Sequence, residues 1–335
     1  MIAFVLALAL QAGSADADPI GEGEKSICLG RSVEGFTSRD PGTSSRPISF
    51  QQSIPVDPIG DLIAASAEQD VQEAVLPAHG CRGEFIEGGV LVCYFGPASQ
   101  VTLGDREPYS DAFGWSIIGI PRESDTELEL VISTPMAAQD NLVRETRTIT
   151  QREYNIQRVE GVPQRTVTPD PSTLERRQRE YAQKQTAFNS VWDGQGFLDG
   201  FIEPSSGITT GVYGSQRVYN GTPGNPHWGH DYANDVGTPV VSPAGGLVTL
   251  AEPDMYYEGG LIFIDHGQGL ISAFLHMSAV HVEAGTIVEQ GQLIGEIGAG
   301  GRATGPHLDW RVKLRNGFYV DPALLLELDL SEVGD

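Results

Sequence analysis

Three histidines and two aspartates, His227, Asp231, His276, His307 and Asp309, fall in one glycine-rich stretch toward the C-terminus. Imidazole nitrogens and carboxylate oxygens are donors that zinc takes, and a set of this size can hold an ion while sparing imidazoles for proton transfer. Spacing sharpens the reading. His227 and Asp231 lie four apart in the loop-like segment Asn225–Asp231, where both side chains can turn to one ion. His307 and Asp309 are two apart in an apparent strand and therefore project from one face. A pair from a loop and a same-face pair from a strand can close a tetrahedral site with one position open for water.

Mostly antiparallel strands must position these groups. Leu261–Ile264 and Leu270–Leu275 flank the glycine-rich turn Asp265–Gly269 and predict a hairpin that delivers His276. Asn316-Gly317 predicts a tight turn after the strand bearing His307 and Asp309. Alternation turns those two side chains toward a groove, and Leu308 and Trp310 to the other side. Such a groove suits an extended peptide held partly by main-chain hydrogen bonds. Tyr213 and Trp310 are expected as its walls, although core packing would explain either as well. His230 is expected to point away from an ion bound by Asp231; turned inward, it is the alternative third donor. His266 is expected exposed at its turn, His79 and His281 solvated, and Arg217 structural or substrate-positioning.

In chain order these pieces resemble the lysostaphin-type zinc endopeptidases, the LytM domains. The resemblance runs through Gly211–Arg217, the His227-Trp228-Gly229-His230-Asp231 form of an H-x-G-x-D motif, and Gly237–Val240. It continues through Asp265–Gly269, Phe274–Met277, Gly291–Gly295 and Gly301–His307. It implies zinc as cofactor, His227 and Asp231 as ligands, and His276 and His307 in contact with substrate or reacting water. The implied substrate is the peptide part of peptidoglycan, cut at a cross-link. One position departs: the family's final motif is H-x-H, and Asp309 stands where its second histidine ligates. Ligation by Asp309 is therefore read from its chemistry alone. Two carboxylates and one imidazole would neutralise a doubly charged ion and leave it a weaker acidifier of water. They would also make other divalent ions more plausible occupants. The altered ligand raises the alternative of a catalytically inactive LytM-type regulator that binds and activates a cell-wall amidase, with amidases or other divisome proteins as partners.

Composition narrows the partners. The chain has 335 residues and a formal net charge of −24. From Gly196 onward its bases are Arg217, Arg302, Arg311, Lys313 and Arg315. That is no footprint for nucleic acid, and it repels anionic membrane surfaces. Ile2–Leu10 is apolar but too short to span a bilayer, and it leads into Ala15-Asp16-Ala17; residues 1–17 are expected to be a signal peptide, and the mature protein periplasmic or secreted, with no membrane span. Cys81 and Cys93 can pair across adjacent strands, Cys28 can pair with either, or all three can remain small hydrophobes.

The expected organisation is mainly β. Residues 18–82 read as a loose linker with a short helix over 61–73. Residues 83–167 read as a small β-sandwich, from short apolar runs at Gly89–Phe95, Gln100–Leu103, Gly114–Gly119 and Glu127–Ile132. Residues 168–195 form a helical connector, and 196–335 an antiparallel β peptidase domain of the LytM type. The connector opens on a capping box at Ser172–Glu175 and repeats Leu174, Tyr181 and Phe188 every seven residues, a stripe expected to dock. Arg176, Arg177, Arg179 and Lys184 on the same segment read as a solvated face or as a partner or wall-polymer contact.

Overall fold

The computed structural model describes residues 80–106, 110–136, 139–159, 170–315 and 317–330. The signal segment, Cys28, His79, the helix expected over 61–73, and Asn316 of the expected turn lie outside them. Among the described residues no helix is long and apolar enough to cross a membrane.

The chain is mainly β, with antiparallel sheets. Near the start, β1 (Gly80–Arg82), β2 (Val90–Tyr94) and β4 (Trp115–Gly119) form one sheet, and β3 (Gln100–Leu103), β5 (Glu127–Met136) and β6 (Gln139–Thr148) another. Leu91, Cys93, Ile118 and Ile120 meet Val101, Leu103, Leu130 and Ile132 between them, so the two sheets make a small sandwich. Cys81 and Cys93 are directly opposed across β1 and β2 and are joined by a disulfide. Simple alternation would leave the outer face of β2 and β4 polar, yet every residue of both strands is buried. Val90, Val92, Tyr94, Trp115 and Ile117 on that face belong to the same apolar cluster as Phe274, Leu308 and Trp310 far along the chain. A strand covered on both sides loses its polar face, and its sequence then reads as a continuous apolar run.

The main sheet orders its strands β16 (Ile287–Val288), β13 (Gly246–Met255), β14 (Gly259–Asp265), β15 (Leu270–Val280), β18 (His307–Leu314), β11 (Gly229–Ala233) and β8 (Ile208–Gly211). β17 (Leu293–Ile297) adds to β15 and pairs with β12 (Pro239–Val241), and β19 (Tyr319–Val320) adds to β18, while β7 (Ile156–Val159), β9 (Gln216–Tyr219) and β10 (Thr222–Pro223) form a further small sheet. The β14–β15 hairpin closes on the turn at 266–269, as the sequence predicts. On one face of this sheet Leu270, Phe274, Leu308, Trp310, Val312 and Leu314 are buried in the shared core. Trp310 is fully buried there, and Tyr213 is buried elsewhere, beside Tyr154 and Trp228, so packing and not a groove wall accounts for both.

The opposite face is split. Leu250, Leu261, Phe263, Ile271, Ala273 and Leu275 are covered by Ala187 and Phe188 of α1 (Leu174–Phe188). The expected docking stripe is only one-third correct: Phe188 packs inward, whereas Leu174 and Tyr181 are largely exposed. A seven-residue repeat drifts by only about 20° per step, so the three residues do share a face, but the apolar surface of the sheet meets the helix only at its C-terminal end. Polar contacts hold the rest of the helix. Arg176 donates to Glu180 at 2.6 Å and to the Asp254 carbonyl at 2.8 Å, Arg177 reaches the Tyr257 hydroxyl at 3.4 Å, and Lys184 pairs with Glu258. The basic residues therefore seat α1 on the β13–β14 turn. Capping also differs from expectation: the Asp170 carboxylate accepts from the Ser172 N–H at 2.8 Å and starts a short 3₁₀ turn before α1.

Candidate metal centre

The uncovered part of that second face carries the chemistry. Along β18 the side chains of His307, Asp309, Arg311 and Lys313 share one side of the strand, alternating with the buried Leu308, Trp310, Val312 and Leu314. Antiparallel register sets Asp309 directly opposite Asp231 on β11, and Asp231 opposite Gly211 on β8. His227 reaches the same point from the loop before β11, its backbone N–H donating to the Ser215 carbonyl at 2.7 Å and its carbonyl accepting from Gly214 at 2.7 Å. One ligand atom each from His227, Asp231 and Asp309 lies within 4.8 Å of the others.

Two glycines make room for this approach. A Cβ on Gly211 would overlap Asp231 Oδ2 and stand 3.1 Å from His227 Nε2; a Cβ on Gly229 would overlap Asp309 Oδ1. Side chains at either position would close the cradle.

A divalent cation fits the donors present. His227 Nε2 and Asp231 Oδ1 are buried without a hydrogen-bond partner, although they lie 3.2 Å apart. Unpartnered buried polar atoms cost about 1–3 kcal/mol each, and two of them converging on one point is the arrangement a shared ion relieves. Asp309 is almost fully buried, and Arg311 is its fixed counter-charge. The guanidinium donates from Nε to both carboxylate oxygens at 3.1 and 3.0 Å and from Nη2 to Oδ2 at 2.5 Å. Burial opposes ionisation of Asp309, but the charge and hydrogen bonds of Arg311 prevail and hold the carboxyl below its usual range. Oδ1 accepts only one of these three bonds and keeps a second lone pair, so the carboxylate remains able to ligate.

His276 and His307 stand side by side with ring centroids 4.8 Å apart. His276 Nδ1 lies 2.9 Å from the Gly300 carbonyl, and His307 Nδ1 2.9 Å from the Gly305 carbonyl. A carbonyl only accepts, so in both rings Nδ1 carries the proton and Nε2 is left with a lone pair. His276 also has φ of 66°, outside the usual region for a residue with a side chain, and its N–H is held by the Glu258 carbonyl at 2.7 Å. Such a conformation costs on the order of 1–3 kcal/mol and concentrates at functional sites. Burial lowers the His276 pKa against the opposing pull of Asp309, keeping the ring neutral.

All five predicted residues thus gather in one cluster on this face of the sheet. The remaining described histidines do not join it. His230 lies on the other side of β11 from Asp231, its Nε2 3.0 Å from Thr209 Oγ1. His281 pairs with Glu296 at 3.3 Å near the surface. His266 corrects the expectation of exposure: it is fully buried, with Nδ1 2.8 Å from the Gly245 carbonyl and Nε2 2.8 Å from Ser272 Oγ. Arg217 contacts Gln157 at the surface, away from the ligand cluster. Arg311 is the functional neighbour that sequence reasoning passed over, counted only as one of a few bases. Its signal was the two-residue period His307, Asp309, Arg311.

The sequence of residues 225–322, which carries all five of these groups, matches the model of peptidase family M23. Residues 225–322 are a peptidase family M23 domain. The domain is 39% identical over 90 residues to the peptidoglycan DD-endopeptidase ShyA of Vibrio cholerae, a match covering 27% of this chain and 21% of that protein. It is 38% identical over 96 residues to the DD-carboxypeptidase/endopeptidase Mpg of Neisseria meningitidis, covering 29% of this chain and 22% of that one. The chain thus spans only a small part of the curated relatives that it matches. A crystal structure of a putative M23 peptidase from Pseudomonas aeruginosa superposes with a TM-score of 0.53 at 28% identity, covering 72% of this chain and 95% of that one. That likeness extends beyond the M23 domain into the preceding β and helical segments.

Proposed function

We propose that this protein is a zinc metalloendopeptidase that hydrolyses peptide cross-links of peptidoglycan outside the cytoplasm. The observation that carries the reading is the pair of orphaned donors, His227 Nε2 and Asp231 Oδ1, converging with Asp309 beside two imidazoles whose Nε2 lone pairs are free. His227, Asp231 and Asp309 would hold the ion. When bound, zinc supplies Lewis acidity toward an amide carbonyl and acidifies water. His276 or His307 then accepts a proton at Nε2 and, as the imidazolium it becomes, returns that proton to the leaving amine; the other ring donates to the developing oxyanion only once it too is protonated at Nε2. The carbonyls of Gly300 and Gly305 fix the tautomers that this requires. The peptidoglycan substrate is supported by the names of the relatives, and the same substrate supports action in the periplasm or outside the cell.

The test is digestion of purified sacculi by the purified protein with and without a chelator. Release of muropeptides that the chelator abolishes supports the proposal; identical profiles in both arms refute it. A second reading, a metal-free regulator that activates a cell-wall amidase, is favoured by one observation: Arg311 already satisfies Asp309. Metal analysis separates the two, since the regulator would purify without zinc and fail to take it up.

A further inference from the structure

We propose that Arg311 is the charge-compensating residue of the metal centre, and that with Asp309 it forms a unit standing in for a neutral ligand. This rests on the metal reading above. A neutral His227, Asp231 and Asp309 carry a formal charge of −2 as donors, and Arg311 brings the set to −1. That is the charge of two imidazoles and one carboxylate. A divalent ion in the set therefore keeps a net charge of +1 instead of being neutralised, so the altered third ligand does not cost the ion its Lewis acidity.

Geometry supports pairing over mere proximity. Arg311 stands two residues beyond Asp309 on the same side of β18, and its Nε and Nη2 grip both carboxylate oxygens. A planar fork of this kind fixes the rotation of the carboxylate, which a point charge would not. Asp309 is 2% exposed, and that grip is its one protein counter-charge among the ion pairs of the described residues. The guanidinium is itself packed near Tyr319, whose ring stacks on Trp228 at a 5.7 Å centroid separation, and whose carbonyl accepts from the Tyr213 hydroxyl at 2.9 Å. Arg311 thus contacts Tyr319, which Trp228 and Tyr213 hold in turn. Loss of a purely orienting partner typically costs about 10–100-fold in metal affinity, so the sign of the change on removing Arg311 separates charge compensation, which predicts tighter binding, from orientation, which predicts weaker binding.

The experiment is a zinc and manganese titration of the full chain against a chromophoric chelator, in the wild type, Arg311→Lys, Arg311→Gln, Asp309→His and the double variant Asp309→His/Arg311→Gln. Loss of the positive charge in Arg311→Gln is expected to tighten zinc by about tenfold or more and to raise manganese affinity further, because the donor set becomes richer in uncompensated oxygen charge. Arg311→Lys gives up the fork but keeps the charge, and because compensation depends on charge it is expected to stay within about threefold of the wild type for zinc. In the double variant the manganese-to-zinc preference returns to a low value, because the carboxylate is gone. Unchanged or weaker zinc binding in a folded Arg311→Gln overturns the proposal. Should that variant not fold, Asp309→His against the double variant carries the test, because neither leaves Asp309 buried and unpaired: about tenfold tighter zinc in the double variant supports compensation, and equal affinity overturns it. A wild type that takes up no zinc while Asp309→His does would overturn the functional reading itself, a result distinct from either.

Discussion

Strands β2 and β4 of the sandwich and β15 and β18 of the main sheet are buried along most of their length, yet they use burial oppositely. In β2 and β4 both faces are apolar, and each strand joins two hydrophobic cores. In β18 one face is a core of Leu308, Trp310, Val312 and Leu314, while the other carries His307, Asp309, Arg311 and Lys313. Burial alone does not tell these apart. What distinguishes them is whether the enclosed polar atoms have partners. Asp111, at the sandwich edge, is saturated by the N–H groups of Phe113, Gly114 and Trp115 at 2.7–2.9 Å. His227 and Asp231 hold atoms with none. Saturated buried polar groups stabilise a turn; unsaturated ones facing each other mark a ligand site.

The contrast can be broken most severely at the orphaned donors. Replacing His227 with Ala or Asp231 with Asn is expected to lower zinc affinity and muropeptide release by about 100-fold or more, with thermal unfolding of the metal-free protein little changed; a variant retaining full metal binding would dissolve the distinction. Next in size is the proton-handling pair. Replacing His276 or His307 with Ala is expected to reduce the rate of cross-link hydrolysis by about 10²–10⁴-fold while bound zinc, measured by elemental analysis, stays stoichiometric. On the apolar side, Leu91→Ala in the sandwich core should cost about 2–5 kcal/mol in urea unfolding and leave zinc affinity of the folded protein unaltered.

A pH experiment sharpens the comparison further. Full burial pushes His266 down to about 4, so the folded state keeps it neutral where the unfolded chain, near 6.5, binds a proton. Its contribution is intact above pH ~6.5 and falls as pH drops through 6.5 toward 4, to a loss of about 3 kcal/mol at the limit. Unfolding free energies at pH 7 and 4.5 should show this slope in the wild type, and a flatter one in His266→Gln. The smallest effect is expected at Arg144, whose pair with Glu129 at 2.7 Å is more than half exposed on both sides. Arg144→Ala should shift stability by no more than about 0.5 kcal/mol and leave hydrolysis unchanged, because water screens the pair.

Much of the site was legible in one dimension because its pieces are local. A loop pair four apart and a strand pair two apart state which side chains can face one point, since strand alternation is a property of the backbone itself. The β14–β15 hairpin followed from two apolar runs around glycines for the same reason. The helix α1 was legible as a helix, but its stripe was misjudged, because exposure of Leu174 and Tyr181 is decided by where the β13–β14 turn lies and not by their spacing. His266 illustrates the same limit: its turn was evident, whereas its burial depends on Gly245 and Ser272 arriving from other strands.

The sequence by itself determined the donor types, their order along the chain, and which of them share a face of β18, because those follow from chemistry and a two-residue period. Only the tertiary structure decided that Asp231 stands opposite Asp309, that two glycines leave room between them, and that Arg311 grips the altered ligand. Register, close backbone approach and charge pairing are relations between strands that meet only when the sheet is assembled.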